Sequence, residues 1–232
     1  TEIYTLSLHD ALPIWITLVI IGRSGCGKSV LLKHIIGLLT PDEGEVLIEG
    51  KDLTKMSKKE VYALRKRFGF LFQGAALFDS MDVEENIGLA LKENTDMKKQ
   101  EIAGIVAEKL EMVGLPNIQD MKPSDLSGGM KKRVSLARSL ATNPQYILYD
   151  EPTTGLDPVM SDQIDDLIKE LAEKLKVTSV VVTHDIFSVY DVADKVAMMH
   201  EGQIYFLGTP KELTETNDKL IRDFLNRTDK RI

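Results

Sequence analysis

The run Gly22-Arg23-Ser24-Gly25-Cys26-Gly27-Lys28-Ser29 constrains this chain more than any other feature of it. It fits the spacing G-x-x-x-x-G-K-[ST] in full. The apolar residues 16–21 precede it, and Leu31, Leu32, Ile35 and Ile36 follow at helical spacing. A strand, a glycine-rich loop and a helix in that order gather backbone N–H groups at a helix N-terminus, whose dipole favours an anion. The glycines let those amides turn inward. Lys28 adds a point charge for β- and γ-phosphates, and the Ser29 hydroxyl is a ligand for Mg²⁺. The expected nucleotide-phosphate contacts are Gly22, Arg23, Ser24, Gly25, Cys26, Gly27, Lys28, Ser29 and Val30. The glycine spacing is not the G-x-G-x-x-G of a dinucleotide site. Cys26 is read as a small loop residue.

A second feature belongs with the first. Residues 146–149 form an apolar run without alternation, as in a strand buried on both faces, and end in Asp150 and Glu151. Ligands bind at this end of the strands in an open α/β sheet. Asp150 can orient Mg²⁺ through its waters, and Glu151 can polarise an attacking water as general base.

Between these two features the pattern changes. Residues 45–49 and 68–72 read as strands and 57–66 as a helix. From residue 74 to about 143 apolar positions recur at helical spacing, as in Ile102, Ile105, Val106, Leu110 and Val113. Strand patterns then return at 179–183, 196–199 and 204–207, with helices at 159–175 and 187–192. Glu201-Gly202 marks a hairpin. Residues 219–227 read as a helix, mostly solvated. Alternating strands and helices predict an α/β fold with a largely parallel sheet.

Composition narrows the function classes. With 29 Lys and Arg against 36 Asp and Glu, the formal charge is −7. That balance argues against general binding to a nucleic acid backbone, which needs clustered cations. The Lys131-Lys132-Arg133 run is read as a solvated or dimer-facing helix segment, and Asp162, Asp165 and Asp166 as a polar helix face. One cysteine forms no internal disulfide. The apolar runs fall far short of the roughly 20 residues that cross a bilayer, and no secretory leader opens the chain. A cytoplasmic protein is expected, with any membrane role supplied by a partner chain.

Leu126-Ser127-Gly128-Gly129-Met130 lies between the cradle and the acidic pair. Ser127 suits a helix cap, and the glycines expose amides at a second helix start. This segment resembles the signature motif of ABC ATPases, and its order in the chain matches that family. The resemblance covers roughly residues 16–215. It implies a P-loop NTPase, RecA-like, α/β core at about 16–73 and 144–215. A helical subdomain is inserted at about 74–143, and a C-terminal helix lies at about 217–227. Leu126 to Met130 would face the γ-phosphate held by a second copy, so a homodimer is implied. Gln73 resembles the Q-loop glutamine, which reaches toward the metal and links to a transmembrane permease. Gly155-Leu156-Asp157 resembles the D-loop that crosses the dimer interface. His184 resembles the switch histidine at the γ-phosphate, although a histidine met alone is more often structural. Catalysis would then rest on Glu151, His184, Lys28 and Gln73, metal binding on Ser29, Gln73 and Asp150, with ATP and Mg²⁺ as ligands.

Gln73 to Met81, Gln-Gly-Ala-Ala-Leu-Phe-Asp-Ser-Met, is similar to the Q-loop region of the Mla/Mce-type lipid-transport ATPases. Met130, in place of the usual glutamine, agrees. This likeness implies a subunit on the inner face of the cytoplasmic membrane that energises phospholipid transport through a permease, with an MCE-type lipid-binding protein attached. Another ABC importer or exporter, and a soluble ABC-type scaffold, stay open. The start departs from the family pattern. The family normally has two strands and an adenine-stacking aromatic ahead of the cradle; residues 1–13 read as neither strand, and Tyr4 lies too close to the cradle to be that aromatic. Residues 4–14 look like translated sequencing-adapter sequence, so a chimeric or truncated start is expected, with the adenine platform missing and a sheet edge open.

Overall fold

The computed structural model describes residues 15–228. The expectations for residues 1–14, including the missing strands and Tyr4, lie outside the described residues.

One six-stranded sheet organises the chain. Its strands are β1 (Thr17–Gly22), β4 (Phe68–Leu71), β5 (Tyr146–Asp150), β6 (Thr178–Val182), β7 (Lys195–His200) and β8 (Gln203–Gly208). Their order is β4-β5-β6-β1-β7-β8, and every neighbouring pair is parallel except β7 with β8. Because five strands run in one direction, the segments that leave β1, β4, β5 and β6 all emerge at the same edge. Those segments carry Lys28, Gln73, Glu151 and His184. Parallel pairing therefore gathers residues that are far apart in the chain.

The strands are apolar on both faces because both are covered. In β1, Val19 and Ile21 belong to one core and Leu18 and Ile20 to the other. The second core contains Leu32 and Ile35 of α1 (Lys28–Ile35). The first is the larger, with Val83, Ile87 and Leu91 from α3 (Val83–Asn94), Val106 and Leu110 from α4 (Lys99–Met112), and Val134, Leu136 and Leu140 from α5 (Gly128–Leu140). No strand lies between residues 74 and 143 among the described residues. The segment is anchored at its start by Asp82, whose carboxylate caps α3 in a capping box with Glu85.

Three expectations need correction. Residues 45–49 are no strand of the main sheet. Only Leu47–Ile48 (β2) is extended, paired with Lys51–Asp52 (β3) in a separate hairpin ahead of α2 (Lys58–Arg65). Glu49 and Gly50 both take positive φ there, at 51° and 73°, which reverses the chain. The C-terminal helix α9 (Lys219–Thr228) follows α8 (Pro210–Glu215) and is not mostly solvated: Ile221, Phe224 and Leu225 join the larger core. Its apolar positions recur at i, i+3 and i+4, the spacing of a core-facing stripe. No helix among the described residues is long and apolar enough to cross a membrane.

The third correction concerns the acidic face of α6 (Pro158–Leu175). Asp165 is 3% exposed and packs against α7 (Ile186–Val192). The Ser188 hydroxyl donates to its Oδ2 at 2.7 Å, while Oδ1 has no partner. Burial pushes this carboxyl up to about 7, reinforced by Asp191, Asp185 and Asp162 and opposed by the Ser188 bond. Between the ordinary value of 3.8 and about 7 the folded chain then binds more protons than the unfolded one, so stability falls as pH rises through that window. Asp165→Asn, which stays neutral, is expected to gain on the native chain by about 2 kcal/mol or more between pH ~4 and pH ~8. Thermal unfolding across that range checks this; a pH-independent difference would show that Asp165 titrates like an exposed carboxylate.

Candidate functional site

The loop after β1 is shaped by close approach. A Cβ at Gly22 would lie 2.5 Å from the Met199 carbonyl oxygen of β7, so only glycine fits. Gly27, at the N-cap of α1, has φ 105°, a conformation costly for a residue with a Cβ, and no side chain caps the helix there. The first helical bond runs from Leu31 N–H to the Gly27 carbonyl at 2.9 Å. The N–H groups of Lys28, Ser29 and Val30 therefore have no acceptor inside the helix. An anion with several oxygens satisfies them together with the helix dipole.

Lys28 is 6% exposed and lies back across this loop. Its ammonium donates to the carbonyls of Gly22 at 2.9 Å and Arg23 at 3.3 Å, and stands 3.9 Å from Glu151 Oε1. The Ser29 hydroxyl donates to Asp150 Oδ1 at 2.7 Å. The cradle and the acidic strand end thus meet through two contacts that span the sheet from β1 to β5. Ser29 and Asp150 offer hard oxygens side by side, which suits Mg²⁺: that ion takes one or two protein oxygens and completes its octahedron with water and substrate phosphate. Among the described residues no group of three or more His, Cys, Asp or Glu forms a separate metal cage.

Glu151 sits in the left-handed region, at φ 51°, one residue beyond β5. Its N–H donates to the Val182 carbonyl at 2.9 Å, which fixes that turn against β6. A strained backbone at one residue costs about 1 kcal/mol and persists where neighbours hold it. Here the neighbours are chemical. The Thr154 hydroxyl donates to Glu151 Oε2 at 3.0 Å, and His184 Nδ1 lies 2.8 Å from the same oxygen. His184 follows β6, and its side chain is 36% exposed against 11% for Glu151. A sheltered carboxylate with a more open imidazole beside it can take a proton from water and pass it toward solvent.

The remaining expected residues fall into two groups. Gln73 follows β4 with its side chain exposed, while its carbonyl accepts a bond from the Lys132 ammonium. Ser127 caps α5, its hydroxyl accepting the Met130 N–H at 3.2 Å. Leu126 is buried, and Gly128 has the Leu156 side chain beside it, so the 126–130 and 155–157 segments of one chain are neighbours. Gly155 turns with φ 85°, and Asp157 caps α6 by accepting the Met160 N–H at 3.0 Å. Among the described residues no hydrogen bond or ion pair joins 126–130 to the 22–30 loop.

Three parts of the site were not expected from the sequence: Thr154, which donates to Glu151, and also Lys132 and Asn86. Lys132 is not a solvated residue; it is 5% exposed and donates to two backbone carbonyls. Its place three residues after Gly129 and four before Leu136, both buried, is the signal that could have found it. Asn86, fully buried on α3, accepts the Phe78 N–H at 2.8 Å and donates to the carbonyls of Phe78, Met81 and Asp82. It holds the segment after Gln73 in shape.

Comparison with known proteins now has a geometry to rest on. The profile of the ABC transporter family matches residues 16–154. The chain belongs to the ABC transporter family. It is 42% identical over 206 residues to the intermembrane phospholipid transport system ATP-binding protein MlaF of Haemophilus influenzae, covering 89% of this chain and 78% of that one. It is also 42% identical over 208 residues to the probable ribonucleotide transport ATP-binding protein mkl of Mycobacterium leprae, 90% of this chain but 60% of that protein. The chain thus spans well under two thirds of the mkl proteins' length. Among solved structures, a dimeric ATP-binding cassette in a post-hydrolysis state with ADP and Pi superposes with TM-score 0.77 at 33% identity, covering 86% of this chain and 87% of that one. The cbiO1 subunit from Clostridium perfringens, part of the ABC transporter complex cbiONQ, gives 0.79 at 30% identity, covering 93% and 88%. The fold of this ABC family member is that of a P-loop NTPase, as the sequence implied.

Proposed function

We propose that this chain is the ATP-binding and hydrolysing subunit of an ABC transporter that energises phospholipid transport through a membrane permease. The observation that carries the reading is the junction at Glu151: a carboxylate held by His184 and Thr154 on one oxygen, with the Lys28 ammonium 3.9 Å from the other. ATP occupies the loop of residues 22–30, its phosphates on the amides and Lys28. A second copy covers it with its own Ser127 and Gly129, so nucleotide joins the two chains. The dimeric neighbour with ADP and Pi supports this arrangement. Ser29 and Asp150 would hold Mg²⁺, which would neutralise charge on the phosphates. Glu151 accepts a proton from the attacking water, while Lys28 and His184 stabilise charge on the transferring group. Product release adds charge repulsion and separates the copies. Gln73 and the segment to Met81 pass that motion to the permease on the inner face of the cytoplasmic membrane, with an MCE-type protein as a further partner.

The MlaF likeness and the Gln73–Met81 segment favour phospholipid as cargo; the name of the mkl relatives raises ribonucleotides. The test reconstitutes the chain with its permease in liposomes. ATP-dependent movement of labelled phospholipid is the expected result. Movement of ribonucleotide alone would overturn the lipid assignment, and failure to release phosphate with the permease present would overturn the hydrolase reading.

A further inference from the structure

Lys132 lies on α5, five residues past the cap Ser127, yet the residue is only 5% exposed. It donates to the carbonyl of Gln73 and, at 3.2 Å, to the carbonyl of Glu151. These two residues leave adjacent strands, β4 and β5, at the catalytic edge of the sheet. One cation therefore ties three pieces together: the helix that begins with the 126–130 segment, the loop that carries Gln73, and the turn that carries the general base. The contact at Glu151 falls on the residue whose left-handed backbone aims the carboxylate.

The same helix repeats the pattern one turn on. The Ser135 hydroxyl donates to the Ala75 carbonyl at 2.8 Å, and the Arg138 guanidinium to the carbonyls of Ala75 at 2.8 Å and Ala76 at 2.7 Å. Positions 132, 135 and 138 lie three apart, a row along one helix face. That row holds the backbone of residues 73–76, where Ala75 and Ala76 take positive φ. Only Lys132 extends the row to Glu151. A buried ammonium is costly unless its hydrogen bonds are met, and burial pulls Lys132 below its usual range against the attraction of Glu151 and Asp150. A lysine placed there for packing alone would be replaceable by methionine.

We infer that Lys132 is a positioning residue for hydrolysis, fixing the Glu151 turn and the Gln73 loop to the helix that covers a second copy's nucleotide. The inference rests on the ATPase reading above. It also gives a physical route by which closure of the 126–130 segment on one nucleotide reaches the general base at the other: α5 cannot shift without pulling the Glu151 carbonyl or breaking its bond.

The test compares the full chain with K132M, which keeps the length and loses the donors, and K132R, which restores a charged hydrogen-bond donor. Hydrogen exchange on the nucleotide-free chain reads the tie whether or not turnover occurs. K132M is expected to raise exchange at residues 73–76 and 151–154 together, and K132R to restore both. In steady-state hydrolysis K132M is expected to lose kcat by about a hundredfold with KM for ATP nearly unchanged, because misplacing a reacting group by about 1 Å costs that much. K132R should recover most of it. The inference is overturned if K132M leaves exchange at both segments unchanged, or if it turns over at the native rate, or if K132R fails like K132M. A native chain that hydrolyses no ATP would instead overturn the ATPase reading, and the exchange comparison would still decide the tie.

Discussion

Lys28→Ala is expected to weaken ATP binding by at least about a hundredfold. The ammonium is the one cation of the loop that is itself buried, and it already lies against the carbonyls of Gly22 and Arg23. Hydrogen bonds from a charged donor contribute about 1.5–3 kcal/mol each, so losing two toward a polyphosphate corresponds to roughly 10²–10⁴ in affinity. Alanine also deletes the bonds that hold the loop. Lys28→Arg separates these effects, since it keeps the charge but not the compact point geometry of an ammonium. Isothermal titration with MgATP, paired with thermal unfolding of the free protein, is the measurement. Native affinity in Lys28→Ala would remove the loop of residues 22–30 from nucleotide binding.

Glu151→Gln is expected to do the opposite to binding: ATP stays bound and turnover stops. Glutamine preserves the shape of the side chain and an oxygen for the Thr154 hydroxyl, 3.0 Å from Glu151 Oε2 in the native chain. What disappears is the capacity to take a proton. General-base catalysis contributes about 10²–10⁴ in rate, so kcat should fall by that factor. If product formation separates the two copies, as proposed, the variant should accumulate as an ATP-loaded dimer, visible by size-exclusion chromatography with light scattering. Lys28 faces a neutral amide in this variant, which removes a competitor for its charge and favours phosphate further. Hydrolysis at the native rate would assign the base to another group, and His184, 2.8 Å from Glu151, would be the next candidate.

The two experiments divide the site into grip and chemistry, and the parts differ in how far the sequence reveals them. The grip is local. Residues 22–29 carry their geometry in their glycines and in the strand and helix on either side, so loop, charge and hydroxyl could be read in eight consecutive positions. The chemistry is assembled from four strand ends. Asp150 and Glu151 stood out because two acids close an apolar run, whereas Gln73 and His184 gained meaning only by resemblance. Thr154 carried no signal at all, since a threonine in a turn is unremarkable until a carboxylate is found 3.0 Å away.

Polar residues on helices were the hardest to read. Lys132, Asp165 and Asn86 each sit among residues that look solvated, and all three are buried. Helical periodicity assigns a face from apolar neighbours, and it cannot show that a distant carbonyl or hydroxyl waits at that face. Asp165 meets Ser188 across two helices, and Lys132 meets Gln73 and Glu151 across the sheet edge.

The sequence by itself determined the secondary elements around residues 16–36 and 146–183, the phosphate loop and the acidic strand end. Those follow from local periodicity, from glycine's freedom and from the burial of apolar runs, all of which act within a few residues. Only the tertiary structure decided which polar groups leave water, because that depends on partners brought by parallel pairing from tens of residues away. Desolvating a charge is costly unless such a partner is present, so the fold, not the neighbouring sequence, turned Lys132 from a surface cation into a tie and Asp165 from a polar face into a buried acid.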